Sequence, residues 1–391
     1  MRPELGGGME NPFKYGEIVE GDNFCNRAEE LKQIKRAIIN SKSFWINSPR
    51  RYGKSSLILK AFKELNEPDI ITLYFDFYGI ESLDEFARKY ASLLAKCLFD
   101  WRTEIKKLSQ KIGEYFKNLY PKISFDNFGQ PSVSFEIKQL ENSNDIETIL
   151  KIPQQIAEKS QKKICIAFDE FQEVQRIKPF LINWMRTEFQ HQSKVSYIFL
   201  ESNKSLMEFV FTDYNSPFYE YGFKLPIHPI KKEDLRVFIT KRFSDTNLKI
   251  RDITINSILT KSRNHPHFTQ YFAAVVWELI YEGISEDNPD FEDLWMNRII
   301  ASQSMIFQNI YDQLSSNQRR TLHALSGLRD NKLFSSRFRE EHDLPQTSSL
   351  TTTLNSLINK NLVIKTNGTY QIQNPVFEEW LKSIKLNKGQ K

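Results

Sequence analysis

The stretch SFWINSPRRYGKSSLILKAF, residues 43–62, constrains this chain more than any other. SFWIN (43–47) reads as a short strand, the loop Ser48–Ser55 closes on Gly53-Lys54-Ser55, and Leu57, Ile58 and Phe62 then share one side of a helix. A strand that turns through glycine into a helix aims backbone N–H groups and the positive end of the helix dipole at one place, which suits an anion. The spacing departs from the phosphate-binding pattern G-x-x-x-x-G-K-[ST] at its first position, where this chain has Ser48. Serine is small and the neighbouring Pro49 fixes an extended entry, so the pattern weakens while the chemistry survives. Gly53 then allows close backbone approach, Lys54 reaches the β- and γ-phosphates, and Ser55 offers a hydroxyl to Mg²⁺. The predicted phosphate-binding segment is Ser48, Pro49, Arg50, Arg51, Tyr52, Gly53, Lys54, Ser55 and Ser56.

A Gly-Lys-Ser triplet by itself also begins ordinary solvated helices. A second motif shifts the balance. In KKICIAFDEFQEV (162–174) a continuous apolar run ends in two acids, Asp169 and Glu170. A buried strand closed this way can hold the Mg²⁺ shell with Asp169 and polarise an attacking water with Glu170. A third strand end, IFLESN (198–203), offers Ser202, then Asn203, to a γ-phosphate; an ordinary polar loop residue is the competing reading. The three catalytic candidates are Lys54, Glu170 and Ser202, with ATP and Mg²⁺ as ligands.

Up to residue 228 strands alternate with helices, which implies a parallel sheet covered on both faces. KISFDNFGQPSVSFEIK (122–138) alternates around Gly129-Gln-Pro and predicts a hairpin inserted into the larger sheet, within an irregular region of about 103–160. From 229 to 314 the pattern is helical only. Residues 315–391 read helix–helix–helix–hairpin, a winged-helix order, with Leu350, Leu354, Leu357 and Ile358 inward on the third helix and Asn367-Gly368 at the hairpin tip. The expected domains are a flexible tail at 1–10, a phosphate-binding α/β domain at 11–228, a helical domain at 229–314 and a winged helix at 315–391.

At 391 residues, with 40% hydrophobic and 26% charged side chains, the chain is a multidomain globular protein by composition. Three cysteines without C-x-x-C spacing and six scattered histidines argue against a zinc site or disulfide framework and predict a reducing, cytoplasmic setting. No apolar run reaches the roughly 18 residues that would span a bilayer, so no membrane partner is expected. The net charge of +5 permits an anionic partner without requiring one. Residues 315–391 carry 12 Lys and Arg against 6 Asp and Glu, so the excess is concentrated there. That suits contact with a DNA backbone, yet the third helix offers Ser and Thr with only Lys360 at its end. A protein-docking or regulatory role stands beside it.

Six stretches occur in order: NPF-x-Y-G (11–16), F-x-x-R-x-x-E (24–30), SPRRYGKSSL (48–57), IAFDEFQE (166–173), LP-x-x-P-I (225–230) and HP-x-x-x-Q (265–270). Together they resemble the archaeal/bacterial ATPase family of the STAND group, P-loop signal-transduction ATPases related to AAA+ proteins. The resemblance covers roughly residues 11–300. It implies an AAA+-like (ASCE) three-layer parallel sheet, a helical lid and a winged helix. It places Phe24 and Arg27 near an adenine and lets His265 and Pro266 close over the base. A capped surface helix explains Glu29 and Glu30 equally well, and His-Pro is also an ordinary helix entry. Two departures stand out: Ser55 replaces the usual threonine, and Glu201-Ser202 replaces Gly-Ser at the third strand end, which leaves the hydrolysis rate open. Arg50 and Arg51 could meet phosphate charge or an acid across a subunit contact, and Arg186 could serve as an arginine finger in a homo-oligomer or simply as a surface cation. The implied function is an ATP-binding, slowly hydrolysing switch (ATP + water to ADP + phosphate) that couples nucleotide state to the lid and winged helix. The alternative is a winged-helix DNA-binding protein in which ATP is mainly a structural ligand.

Overall fold

The computed structural model describes residues 9–98, 120–125, 131–136, 143–201, 204–328, 333–366 and 368–384. The chain forms two compact units, one from Ile18 to Pro229 and one that joins the segment up to Glu17 to everything from Ile230 onward. Residues 11–17, grouped with the α/β domain in the sequence reading, thus cluster with the helical part.

The first unit is built on strands β1 (Phe44–Asn47), β2 (Ile70–Asp76), β3 (Tyr120–Phe125), β4 (Pro131–Glu136), β5 (Lys163–Asp169), β6 (Val195–Glu201) and β7 (Phe223–Lys224). Five of them form a parallel sheet in the order β2-β5-β6-β1-β7. The two motif-bearing strands, β1 and β5, therefore flank β6. β3 and β4 pair with each other, Lys122 opposite Ser134, in a separate two-stranded antiparallel sheet instead of joining the large one. Their connection lies outside the described residues.

Strict alternation gives the sheet two buried faces. Trp45, Phe75, Ile164, Ile166, Phe168, Tyr197 and Phe199 enter one core with Phe86 and Tyr90 of the helix Leu83–Ala95 and Met185 and Phe189 of Leu181–Phe189. Phe44, Ile46, Cys165, Ala167, Ile198 and Leu200 enter the other, against Leu31, Ile34 and Ile38 of helix α1 (Ala28–Ile39) and Leu57, Ile58 and Ala61 of helix α2 (Lys54–Glu64). The first core is aromatic: Phe168 stacks on Tyr197 at 5.7 Å and on Phe189 at 6.0 Å between ring centroids. Each such fully buried ring stabilises the unit by roughly 1.5–3 kcal/mol. This is an α/β three-layer arrangement of the P-loop type.

In the second unit Asn11 donates to the carbonyl of Ala274 (3.1 Å), the Lys14 N–H donates to Gln270 Oε1 (3.2 Å), and Phe13 packs on Phe238 and Phe243. The helices Lys232–Ser244, Asp252–Ser262, Pro266–Tyr281 and Phe291–Asp312 follow. The winged helix comprises Ser316–Gly327, Ser336–Glu341, Thr347–Asn359 and the hairpin β8 (Val363–Thr366) and β9 (Thr369–Ile372). Ser315 and Gln318 close a capping box on its first helix. On Thr347–Asn359 the buried residues are Leu350, Thr353, Leu354 and Leu357. Ile358, expected inward, is only half-buried, whereas Thr353 is buried. A further helix, Pro375–Ser383, is capped by Asn374 and sets Phe377 and Trp380 against Phe307. No helix among the described residues is long and apolar enough to cross a membrane.

One glycine is fixed by close approach. Gly222, at the entry to β7, has φ +80°, and a Cβ there would lie 2.7 Å from the Ser43 carbonyl oxygen. The Gly222→Ala variant is expected to lose about 1–3 kcal/mol of stability, read as a lower denaturant midpoint.

Candidate functional site

The loop between β1 and α2 ends at Gly53, whose φ of +83° and ψ of 26° form the left-handed cap from which α2 begins. No side chain caps this helix start and its first turn holds no acid. Its leading N–H groups therefore suit an external anion. The Ser48 hydroxyl is buried and makes no hydrogen bond, a further polar group that a ligand could satisfy. These features fit a phosphate group.

Lys54 is 7% exposed, and its ammonium donates to the carbonyls of Ser48 (2.9 Å) and Pro49 (3.3 Å). Burial pushes its pKa down, against the attraction of Asp169, Glu170 and Glu201. A buried ammonium resting on neutral carbonyls gains from an arriving phosphate. Arg50 and Arg51 are exposed, with Arg51 at φ +61°.

Strand parity brings Asp169 to the loop. Asp169 follows Cys165 and Ala167 on the α2 side of the sheet, and Ser55 Oγ donates to its Oδ2 at 2.5 Å. The Glu170 N–H donates to Oδ1 at 2.9 Å, and the Tyr74 hydroxyl also donates to Oδ2. Glu170 adopts φ +50°, ψ 42°, and Gln172 donates to its carboxylate at 2.6 Å. A left-handed non-glycine residue at a strand end marks local strain of the kind found at functional sites. Among the described residues no group of three or more His, Cys, Asp or Glu could hold a metal. One carboxylate and one hydroxyl suit Mg²⁺, which keeps most of its shell as water and substrate oxygens.

Arg27 is tied to the phosphate loop by a hydrogen bond. It is 5% exposed, occupies the left-handed region at φ 71° as the cap of α1, and donates to the Tyr52 carbonyl (3.1 Å), the His228 carbonyl (2.9 Å) and Glu30 (3.2 Å). Its guanidinium also lies 5.7 Å from the centre of the Tyr52 ring. Burial lowers its pKa, with Glu30 opposing. Phe24 is half-buried, with the Lys60 ammonium 5.0 Å over its ring. Ser56 is buried and its hydroxyl accepts from the Val19 N–H (3.0 Å), so it anchors the incoming chain.

Glu201 is fully buried at the end of β6, in register with Asn47. Ser202 and Asn203 lie outside the described residues. Arg186 donates to Gln190 and lies 4.8 Å over the Tyr221 ring. His265 and Pro266 belong to the second unit, where they cap and open the helix Pro266–Tyr281, with the His265 ring against Phe268. The sequence reading missed Tyr74, whose contact with Asp169 depends on β2 lying beside β5.

No curated protein sequence matches the chain. Among solved structures, the Walker-type ATPase PABY2304 of Pyrococcus abyssi aligns with a TM-score of 0.62 at 17% identity, over 92% of this chain and 97% of its own. The ORC2 protein of Aeropyrum pernix in its ADP form aligns with a TM-score of 0.49 at 14% identity, over 95% of this chain and 97% of its own. The RuvB Holliday junction branch migration motor of Thermotoga maritima gives 0.42 at 13%, over 92% and 95%. At these identities the first likeness concerns the fold, and the other two carry no argument. Residues 305–383 match a probable winged helix domain. Residues 24–259, more than half of the chain, match the ATPase domain described as predominantly from Archaea, and the chain belongs to that family.

Proposed function

We propose that this protein is a magnesium-dependent ATPase of the STAND type, a slow switch whose nucleotide state sets the disposition of lid and winged helix. The observation that carries the reading is the 2.5 Å contact between Ser55 Oγ and Asp169 Oδ2, which unites two motifs far apart in sequence beside an uncapped helix start. Lys54 and the backbone N–H groups from Arg50 to Ser56 bind the phosphates. Ser55 and Asp169 hold the cation, which when bound neutralises charge on the phosphate oxygens. Glu170 accepts a proton from the attacking water and orients it. We assign Ser202 to the γ-phosphate, Phe24 to the base, and Arg50 and Arg51 to phosphate charge or to an acid of a neighbouring copy. Arg27 acts indirectly, by holding the Tyr52 carbonyl one residue before Gly53.

For the winged helix a regulatory or protein-docking role is favoured over strong DNA binding. Part of its positive charge is neutralised internally: Arg320 pairs with Asp343, Arg337 with Glu341, and Lys382 with Glu378 and Glu379. Duplex DNA is therefore expected to bind weakly; tight binding that falls steeply with salt would instead support the DNA-binding alternative.

Calorimetry with ATP and MgCl₂ should register binding to the wild type; none for folded protein overturns the ATPase reading. Glu170→Gln is expected to bind ATP normally and lose at least about 10²-fold in turnover, whereas undiminished turnover rejects Glu170 as the base. Lys54→Ala is expected to lose affinity by about 1.5–3 kcal/mol, the worth of a hydrogen bond to a charged group. Arg27→Ala should cost at least as much in unfolding free energy, since it leaves the His228 and Tyr52 carbonyls without that donor.

A further inference from the structure

Tyr74 stands on β2, a strand that carries neither of the two phosphate-site motifs. Its neighbours in sequence, Leu73 and Phe75, enter the aromatic core, so parity turns Tyr74 toward the opposite face, where it packs at the edge of the core formed with α1 and α2. There its hydroxyl donates to Oδ2 of Asp169, the same oxygen that accepts from Ser55. Three donors thus converge on one carboxylate: a phenol from β2, a hydroxyl from the start of α2, and the Glu170 amide on Oδ1.

A carboxylate oxygen has two in-plane lone pairs. With Ser55 and Tyr74 on Oδ2 both directions of that oxygen are used, while Oδ1 keeps one beside the Glu170 amide. Removing the phenol takes away one of the three donors that hold the carboxyl group against rotation about its terminal bond, a broad and soft torsion in aspartate. Burial and the adjacent Asp169 charge both push the Tyr74 pKa up.

We propose that Tyr74 is a positioning residue for the cation site, fixing the orientation in which Asp169 holds magnesium beside a bound nucleotide. This rests on the ATPase reading above. Outer partners of this kind orient metal ligands, and losing one typically weakens metal affinity about 10–100-fold.

The test uses the full chain, wild type and Tyr74→Phe, with ADP as probe. ADP affinity is measured in EDTA, and MgCl₂ is then titrated into the protein–ADP complex. Tyr74→Phe is expected to match the wild type in EDTA within about twofold and to need at least about tenfold more magnesium for half-saturation. Equal magnesium half-saturation in the two proteins overturns the proposal. So does a loss of ADP affinity in EDTA, because the phenol would then serve the fold and not the cation. If the wild type itself binds no nucleotide, or its complex shows no magnesium response, the ATPase reading fails first and this inference with it.

Discussion

Burial of the central sheet on both faces is the constraint from which the site follows. A parallel strand with two dry faces can end in acids only where the layers stop covering it, and alternation decides which way each acid points. Phe168 goes to the aromatic side and Asp169 to the side of α2, because one residue of rise turns the chain over. Since α2 is held on that same side by Leu57 and Ile58, its first residues, including Ser55, meet Asp169 without any dedicated connection. The geometry at the loop is thus a by-product of packing that extends well beyond it.

Several of the short motifs spaced along the chain are partners in space. Arg27, from the F-x-x-R-x-x-E stretch, bridges the phosphate loop at Tyr52 and the LP-x-x-P-I stretch at His228. A buried guanidinium without acceptors would be costly, and here two backbone carbonyls and Glu30 satisfy it. In the second unit the N-P-F stretch and the HP-x-x-x-Q stretch meet through Lys14 N–H and Gln270. Each pairing explains why residues with no chemistry of their own accompany the phosphate loop.

Much of this was legible beforehand. The apolar runs ending in polar residues announced β1, β5 and β6, and the Ser48 variant of the loop still produced a left-handed Gly53 and a helix start free of acids. What local pattern could not convey was long-range pairing. Ser56 was legible only as part of the loop, and nothing local announced that its hydroxyl accepts from the Val19 N–H. Tyr74 looked like one more strand aromatic, since its role depends on β2 lying beside β5, a neighbour 93 residues away in the chain with register Tyr74 opposite Ala167. The helix Pro375–Ser383 was passed over although Asn374-Pro375 is a strong helix opening, because the winged-helix pattern was complete without it.

The split course of the chain bears on how it is made. Residues 18–229 are contiguous, so that unit can acquire its core as soon as β7 has left the ribosome. The segment around Phe13 is synthesised before that unit but finds Phe238, Phe243 and Tyr271 only after it. Its apolar rings lack these partners until the whole of residues 18–229 has been made.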